Sequence, residues 1–132
     1  MSRARVLIAD DHVFVLEGLV NLLKDRFEVV AAVTDGYRLV DAATRLRPDV
    51  IVTDISMPGL NGIEAFERLK AAGSQIKVIV LTLHADADLA ASLVRSGVHG
   101  YVVKMLAVSE LVPAIEQVLA GQIYLTPTLT DF

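Results

Sequence analysis

A chain of 132 residues with 54% hydrophobic residues and no cysteine can close one compact domain around its own core, without disulfide or thiolate chemistry. The formal net charge of -4 argues against a nucleic-acid surface on this segment: phosphate contacts need clustered Lys and Arg, whereas Lys24/Arg26, Arg38, Arg45/Arg47 and Arg68/Lys70 are scattered between apolar positions. No apolar run approaches the roughly 20 residues of a membrane span, and Val6-Leu7-Ile8-Ala9 is ended by Asp10 and Asp11 too early for a signal-peptide core. No membrane association is expected, and a cytoplasmic setting fits the lack of cysteine.

The first predicted strand is Arg5–Ala9, followed by a helix carrying Phe14, Leu16, Leu19, Val20, Leu22 and Leu23. A second strand, Glu28–Val33, precedes a helix with Leu39, Val40, Ala43 and Leu46, closed by Pro48. Val50–Thr53 is the third strand, and Ile63, Phe66, Leu69 and Ala72 mark a helix ended by Gly73. Lys77–Leu81 is the fourth strand, followed by a weaker helix from about Asp88 to Ser96. Gly100–Val103 is the fifth, and Leu111, Ile115, Val118 and Leu119 give the last helix before Gly121.

Strand and helix thus alternate five times, and near-continuous Val/Ile/Leu runs are the mark of parallel strands covered on both faces. The expected fold is an α/β, doubly wound (βα)₅ sandwich with a parallel five-stranded sheet. Strand order 2-1-3-4-5 satisfies the right-handed crossover rule, although periodicity alone does not fix it. Residues 1–120 form the expected domain. Residues 121–132 show neither helical nor strand register and are expected to be a linker or tail.

Ligands of open α/β sheets gather beyond the carboxyl ends of the strands. Those ends carry Asp10 and Asp11, Asp54, Thr82 and Lys104. With strands 1 and 3 adjacent, three carboxylates converge, and their repulsion favours a bound divalent cation; oxygen ligands suit Mg²⁺ or Mn²⁺. Asp54 could then attack phosphorus as a nucleophile, Lys104 could neutralise phosphoryl oxygens, and the Thr82 hydroxyl could hydrogen-bond one of them.

Each residue alone has a plainer explanation. Asp11 could be only a helix N-cap, Lys104 a surface lysine, and Thr82 a strand-end β-branched residue. What favours chemistry is that all five lie on one edge of the sheet. Ala9-Asp10-Asp11-His12 lacks the glycines of a nucleotide cradle, and His12, His84 and His99 have no metal-ligand spacing. His12 and His84 could border the site, more readily as bystanders than as catalysts.

The segments Val6-Leu7-Ile8-Ala9-Asp10-Asp11-His12, Pro48 through Asp54 to Gly62, Val78-Ile79-Val80-Leu81-Thr82 and Gly97 through Tyr101 to Lys104 carry a family resemblance. In order and separation they resemble the receiver domains of two-component response regulators, over about residues 3 to 120. The resemblance implies a flavodoxin-like, CheY-like fold with Asp54 as phosphoacceptor. It implies Mg²⁺ held by Asp10, Asp11, Asp54 and the backbone carbonyl of Ser56. Thr82 and Tyr101 become a switch pair: the Tyr101 ring turns inward on phosphorylation and remodels the face of the fourth helix, fifth strand and fifth helix. The implied donor is a phosphohistidine on a sensor histidine kinase, with docking near Phe14 and Val15 of the first helix. The domain itself would catalyse transfer and slow self-dephosphorylation.

Met57 and Pro58 would shape the following loop, with Gly59 and Gly62 allowing the turn into the third helix. Ser56 and His84 would flank an attacking water and tune the phosphoryl lifetime. Gly121-Gln122-Ile123-Tyr124-Leu125-Thr126-Pro127 looks like the NarL/FixJ-type subfamily, in which a C-terminal helix-turn-helix DNA-binding domain follows the receiver. Lys104-Met105 stands where many receivers have Lys-Pro, which leaves open the geometry of that loop and whether Met105-Leu106 is exposed. Phosphorylation-linked homodimerisation is a further implication, through the fourth and fifth or the first and fifth helices. A stand-alone or phosphate-independent interaction module of the same fold is the alternative.

Overall fold

The computed structural model describes residues 3–127. Strands β1 (Arg5–Ala9), β2 (Glu28–Val33), β3 (Val50–Asp54), β4 (Lys77–Thr82), β5 (Gly100–Val103) and β6 (Tyr124–Leu125) form one parallel sheet of order β2-β1-β3-β4-β5-β6. Helices α1 (Val13–Leu23), α2 (Gly36–Leu46), α3 (Gly62–Ala71), α4 (Ala87–Ser96) and α5 (Ala107–Leu119) connect them, with a 3₁₀ turn at Lys104–Leu106. The fold is flavodoxin-like.

The period-2 alternation of the strands divides the core into two layers. Leu7, Ile51, Val78, Val80 and Tyr101 face Leu39, Ala42, Phe66, Leu69 and Leu93 of α2, α3 and α4. Val6, Ile8, Val52, Ile79, Leu81 and Val102 face Leu16, Leu19, Leu111, Ile115 and Val118 of α1 and α5. With both faces covered, β1, β3 and β4 need apolar residues at almost every position, which is why they read as continuous runs.

Local chemistry sets the helix starts. The Asp35 and Asp86 side chains accept from the backbone N–H groups of Arg38 and Leu89, capping α2 and α4. Asn61 and Glu64 form a reciprocal capping box at α3. At α1 the N-cap is His12, without a side-chain cap bond, so Asp11 does not serve as the cap.

The expectation of five strands is corrected to six, and residues 124–125 are in a strand rather than without register. After α5 the backbone reverses at Gly121 (φ 91°) and Tyr124–Leu125 pairs with β5, covering its open edge. Residues 128–132 of the expected tail lie outside the described residues. β3 and β4 each run one residue further than their apolar runs, because Asp54 pairs with Leu81 and Thr82 with Val103. Among the described residues no peptide bond is cis, so Lys104-Met105 is trans; Met105 is exposed and Leu106 half-buried.

Gly62 opens α3 directly against the backbone of Asp54, and a Cβ there would collide with the Asp54 carbonyl oxygen. Gly18, inside α1, has nothing near the position a Cβ would take. Gly62→Ala is therefore expected to cost about 1–3 kcal/mol through overpacking, and Gly18→Ala to add about 0.5–1 kcal/mol. Urea unfolding of the two variants beside the wild type checks both signs.

Candidate functional site

Asp10 directly follows β1. Its N–H donates to the Val33 carbonyl at 3.0 Å, anchoring it between β1 and β2, and its side chain is fully buried. Oδ1 accepts from the His12 N–H at 2.9 Å, which turns the chain from β1 into α1. Asp11 stays partly exposed, its Oδ1 3.2 Å from His12 Nδ1. Asp54 ends the buried strand β3 and is itself 5% exposed. Its backbone is fixed on several sides: the Thr53 hydroxyl donates to its carbonyl at 2.9 Å, and the next residue, Ile55, donates to Leu81 at 3.2 Å.

Lys104 reaches this group from the end of β5. Its Nζ donates to Asp54 Oδ2 at 3.1 Å and lies 2.7 Å from Asp10 Oδ2. The second contact is the shorter, so one ammonium ties the two acids together, and Asp11 Oδ1 is buried without a hydrogen-bond partner. Burial pushes the Asp54 carboxyl above its ordinary pKa; Lys104 offsets part of this, while Asp10 and Asp11 add to it. Burial alone would lower the Lys104 ammonium, but its contacts with Asp10 and Asp54 outweigh that and the net shift is upward.

Donor atoms of Asp10, Asp11, His12 and Asp54 all lie within 4.8 Å of one another. Three acids gathered round one ammonium, with Asp11 Oδ1 buried and without a hydrogen-bond partner, are what a hard divalent cation would satisfy, so the residues fit Mg²⁺ or Mn²⁺. The cleft above them, about 220 Å³, is lined by Asp11, His12, Asp54, Ile55, Ser56, Thr82, Leu83, His84 and Lys104. Larger grooves lie beyond the amino ends of β3 and β4, beside Arg47, Asp49 and Lys77, and gather no comparable carboxylate group.

Every strand-end residue singled out in the sequence therefore meets at one cleft. Thr82 is half-buried on its wall, its Oγ1 3.5 Å from the His84 N–H. Ser56 and His84 are exposed on the rim, and Met57 is buried beneath the loop that Gly59 turns at φ 73°. Tyr101 lies off the cleft. Its ring is fully buried and its hydroxyl donates to the His84 carbonyl at 3.1 Å. His12 comes closer to the acids than its sequence spacing suggested. His99 is remote, its Nδ1 accepting from the Val78 N–H at 3.1 Å; burial, then the charge of Lys77, lowers its pKa. Sequence reasoning passed over Thr53, a polar residue inside an apolar run, and Thr126, whose partner is distant in the chain.

The response regulator receiver domain family matches residues 6–116. The chain is 36% identical over 129 residues to the response regulator GacA of Pseudomonas aeruginosa, covering 96% of this chain and 60% of that protein. It is 34% identical over 131 residues to the transcriptional regulatory protein DegU of Brevibacillus brevis, covering 98% and 56%. It thus spans less than two thirds of the length of these curated relatives. A LuxR-family two-component response regulator from Aurantimonas superposes with a TM-score of 0.92 at 32% identity, over 98% of this chain and 94% of that one. The isolated receiver domain of Salmonella RcsB, solved with a phosphate-mimicking beryllofluoride, superposes with a TM-score of 0.87 at 27% identity, over 98% and 97%. A sheet with its acids and lysine at one edge, a family match across most of the chain and relatives above 30% identity lead to one conclusion: the chain belongs to the receiver domains of two-component response regulators.

Proposed function

We propose that this receiver accepts a phosphoryl group on Asp54 from a phosphohistidine of a sensor histidine kinase. The observation that carries the proposal is the placement of Lys104 Nζ between the buried carboxylates of Asp10 and Asp54, at 2.7 and 3.1 Å. An Asp54 carboxylate oxygen attacks phosphorus, the new O–P bond forms as the P–N bond breaks, and the bond pair returns to the imidazole nitrogen; the ring leaves neutral because its other nitrogen already carries a proton in the donor. Lys104 neutralises charge on the transferred group, and Thr82 offers a hydroxyl to one of its oxygens. A Mg²⁺ or Mn²⁺ ion held by Asp10, Asp11, Asp54 and the Ser56 carbonyl would supply the positive charge that one lysine cannot. Ser56 and His84, on the rim, border the approach of the water that later hydrolyses the acyl phosphate.

Thr82 and Tyr101 would pass the change to the face of α4, β5 and α5. Exposed Phe14 and Val15 on α1 would offer the kinase an apolar foothold. The receiver would extend through β6, and a helix-turn-helix output domain would lie beyond it. One relative is named a transcriptional regulatory protein, and a longer neighbour, RcsB, is described in complex with DNA. Control of transcription in the cytoplasm, with dimerisation on phosphorylation, is the output this supports; no nucleic acid would be bound by this segment itself.

Incubation with acetyl phosphate and Mg²⁺, followed by intact-protein mass spectrometry, tests the chemistry. One added phosphoryl group is expected, absent in Asp54→Asn and strongly reduced in Lys104→Ala. Stoichiometric labelling of the Asp54→Asn chain would remove Asp54 as the acceptor. The same variant probes the cost of the site. Because the folded-state pKa of Asp54 is raised, folding takes up a proton there, and its contribution is most favourable below the ordinary value of 3.8 and declines as pH rises. Without divalent cations, Asp54→Asn is therefore expected to unfold at higher urea than the wild type at neutral pH, with the advantage shrinking under acid.

A further inference from the structure

The segment after α5 stays on the sheet, and its contacts fall on the part of β5 that serves the site. The Tyr124 N–H donates to the His99 carbonyl at 3.0 Å and the Thr126 N–H to the Tyr101 carbonyl at 2.9 Å. Thr126 then accepts the Val103 N–H on its own Oγ1, also at 2.9 Å. It is fully buried, as are Asp10 and Thr53 among the polar and charged residues of the described chain. Val103 is the residue immediately before Lys104, and Tyr101 holds the His84 carbonyl. One hydroxyl and one amide of Thr126 therefore grip both ends of Tyr101-Val102-Val103.

The side chains beside Thr126 tie the segment to both layers of the core. Tyr124 belongs to the layer of α1 and α5, and its hydroxyl donates to Glu110 Oε1 of α5 at 3.0 Å. Burial and that neighbouring carboxylate hold its phenol up to about 12, so the proton stays in place at any ordinary pH. Leu125 packs into the other layer, which contains Tyr101 and Leu93. A buried N–H left without a partner costs about 1–3 kcal/mol. Only a residue with an acceptor can satisfy Val103 here, and a valine of the same shape would not.

We propose that Thr126 is a positioning residue for Lys104, and that β6 is a strap whose order is coupled to the occupancy of the phosphoacceptor site. This rests on the reading of Asp54 as acceptor. A firm strap fixes Val103, and through it the backbone from which Lys104 reaches Asp54. By reciprocity, a group on Asp54 that engages Lys104 steadies Val103 and hence the strap.

The test uses Thr126→Val and Thr126→Ser in the full chain, with acetyl phosphate and Mg²⁺. The maximal phosphorylation rate of Thr126→Val should fall by about tenfold, within what a misplacement of about 1 Å can produce. The half-saturating donor concentration should stay unchanged, and Thr126→Ser should recover most of the rate. A merely structural threonine would change the unfolding midpoint and leave the rate of the folded fraction alone. A folded Thr126→Val chain that reacts at the wild-type rate, or a Thr126→Ser chain as slow as it, would overturn the positioning role.

A second measurement on the wild type holds even if the valine variant does not fold. Beryllofluoride with Mg²⁺ stands in for the phosphoryl group on Asp54, and should slow hydrogen exchange at the Val103 and Thr126 amides by about tenfold relative to Mg²⁺ alone. Unchanged exchange at both amides, with beryllofluoride demonstrably bound, overturns the coupling. A wild-type chain that takes up neither label nor beryllofluoride overturns the acceptor reading and the strap together. A labelled wild type with unchanged amides overturns the strap only.

Discussion

Asp10 and Asp54 are carried into the interior on neighbouring strands, and the Lys104 ammonium is the cation set between them. Two buried carboxylates with a third, Asp11, beside them exceed what one lysine can neutralise. The consequence is visible in the site itself. Asp54 is held above its ordinary pKa, and Asp11 Oδ1 is buried without a hydrogen-bond donor. Such a site is costly to the fold until further positive charge arrives, which gives a cation and a phosphoryl group something to act upon.

The rest of the architecture holds this unfavourable cluster in place. Order β2-β1-β3-β4-β5 puts the ends of β1 and β3 side by side and brings β5 round to present Lys104. Apolar layers on both faces make the sheet stiff, so a small displacement at one strand end is not absorbed locally. Gly62 lets α3 begin against the Asp54 carbonyl, and the Asn61–Glu64 capping box fixes that start. Tyr101 sits on β5, two strands from Asp54, with its hydroxyl on His84, so the cleft rim and the α4 side share a hydrogen bond.

Much of this was legible because it follows from short-range pattern. The continuous runs of β1, β3 and β4 announced strands covered on both faces, and Pro48, Gly73 and Gly121 marked helix ends. The carboxylates and Lys104 could be grouped because each directly follows or ends an apolar run. What escaped was non-local. A two-residue strand such as β6 has no period to detect, and its pairing exists only because the edge of β5 lies open beside it. The role of Thr126 depends on an N–H more than twenty positions earlier. The position of the Tyr101 ring was equally hidden: a rotamer choice leaves no trace in spacing.

The excess of buried negative charge is the central claim, and Mg²⁺ titration followed by backbone amide NMR tests it most directly. Saturable shifts at Asp10, Asp11 and Asp54 at millimolar Mg²⁺ or below, together with a raised unfolding midpoint that Asp54→Asn largely loses, are the predicted result. A spectrum and midpoint indifferent to millimolar Mg²⁺ would show that Lys104 alone suffices, and would contradict a cation-assisted phosphoacceptor.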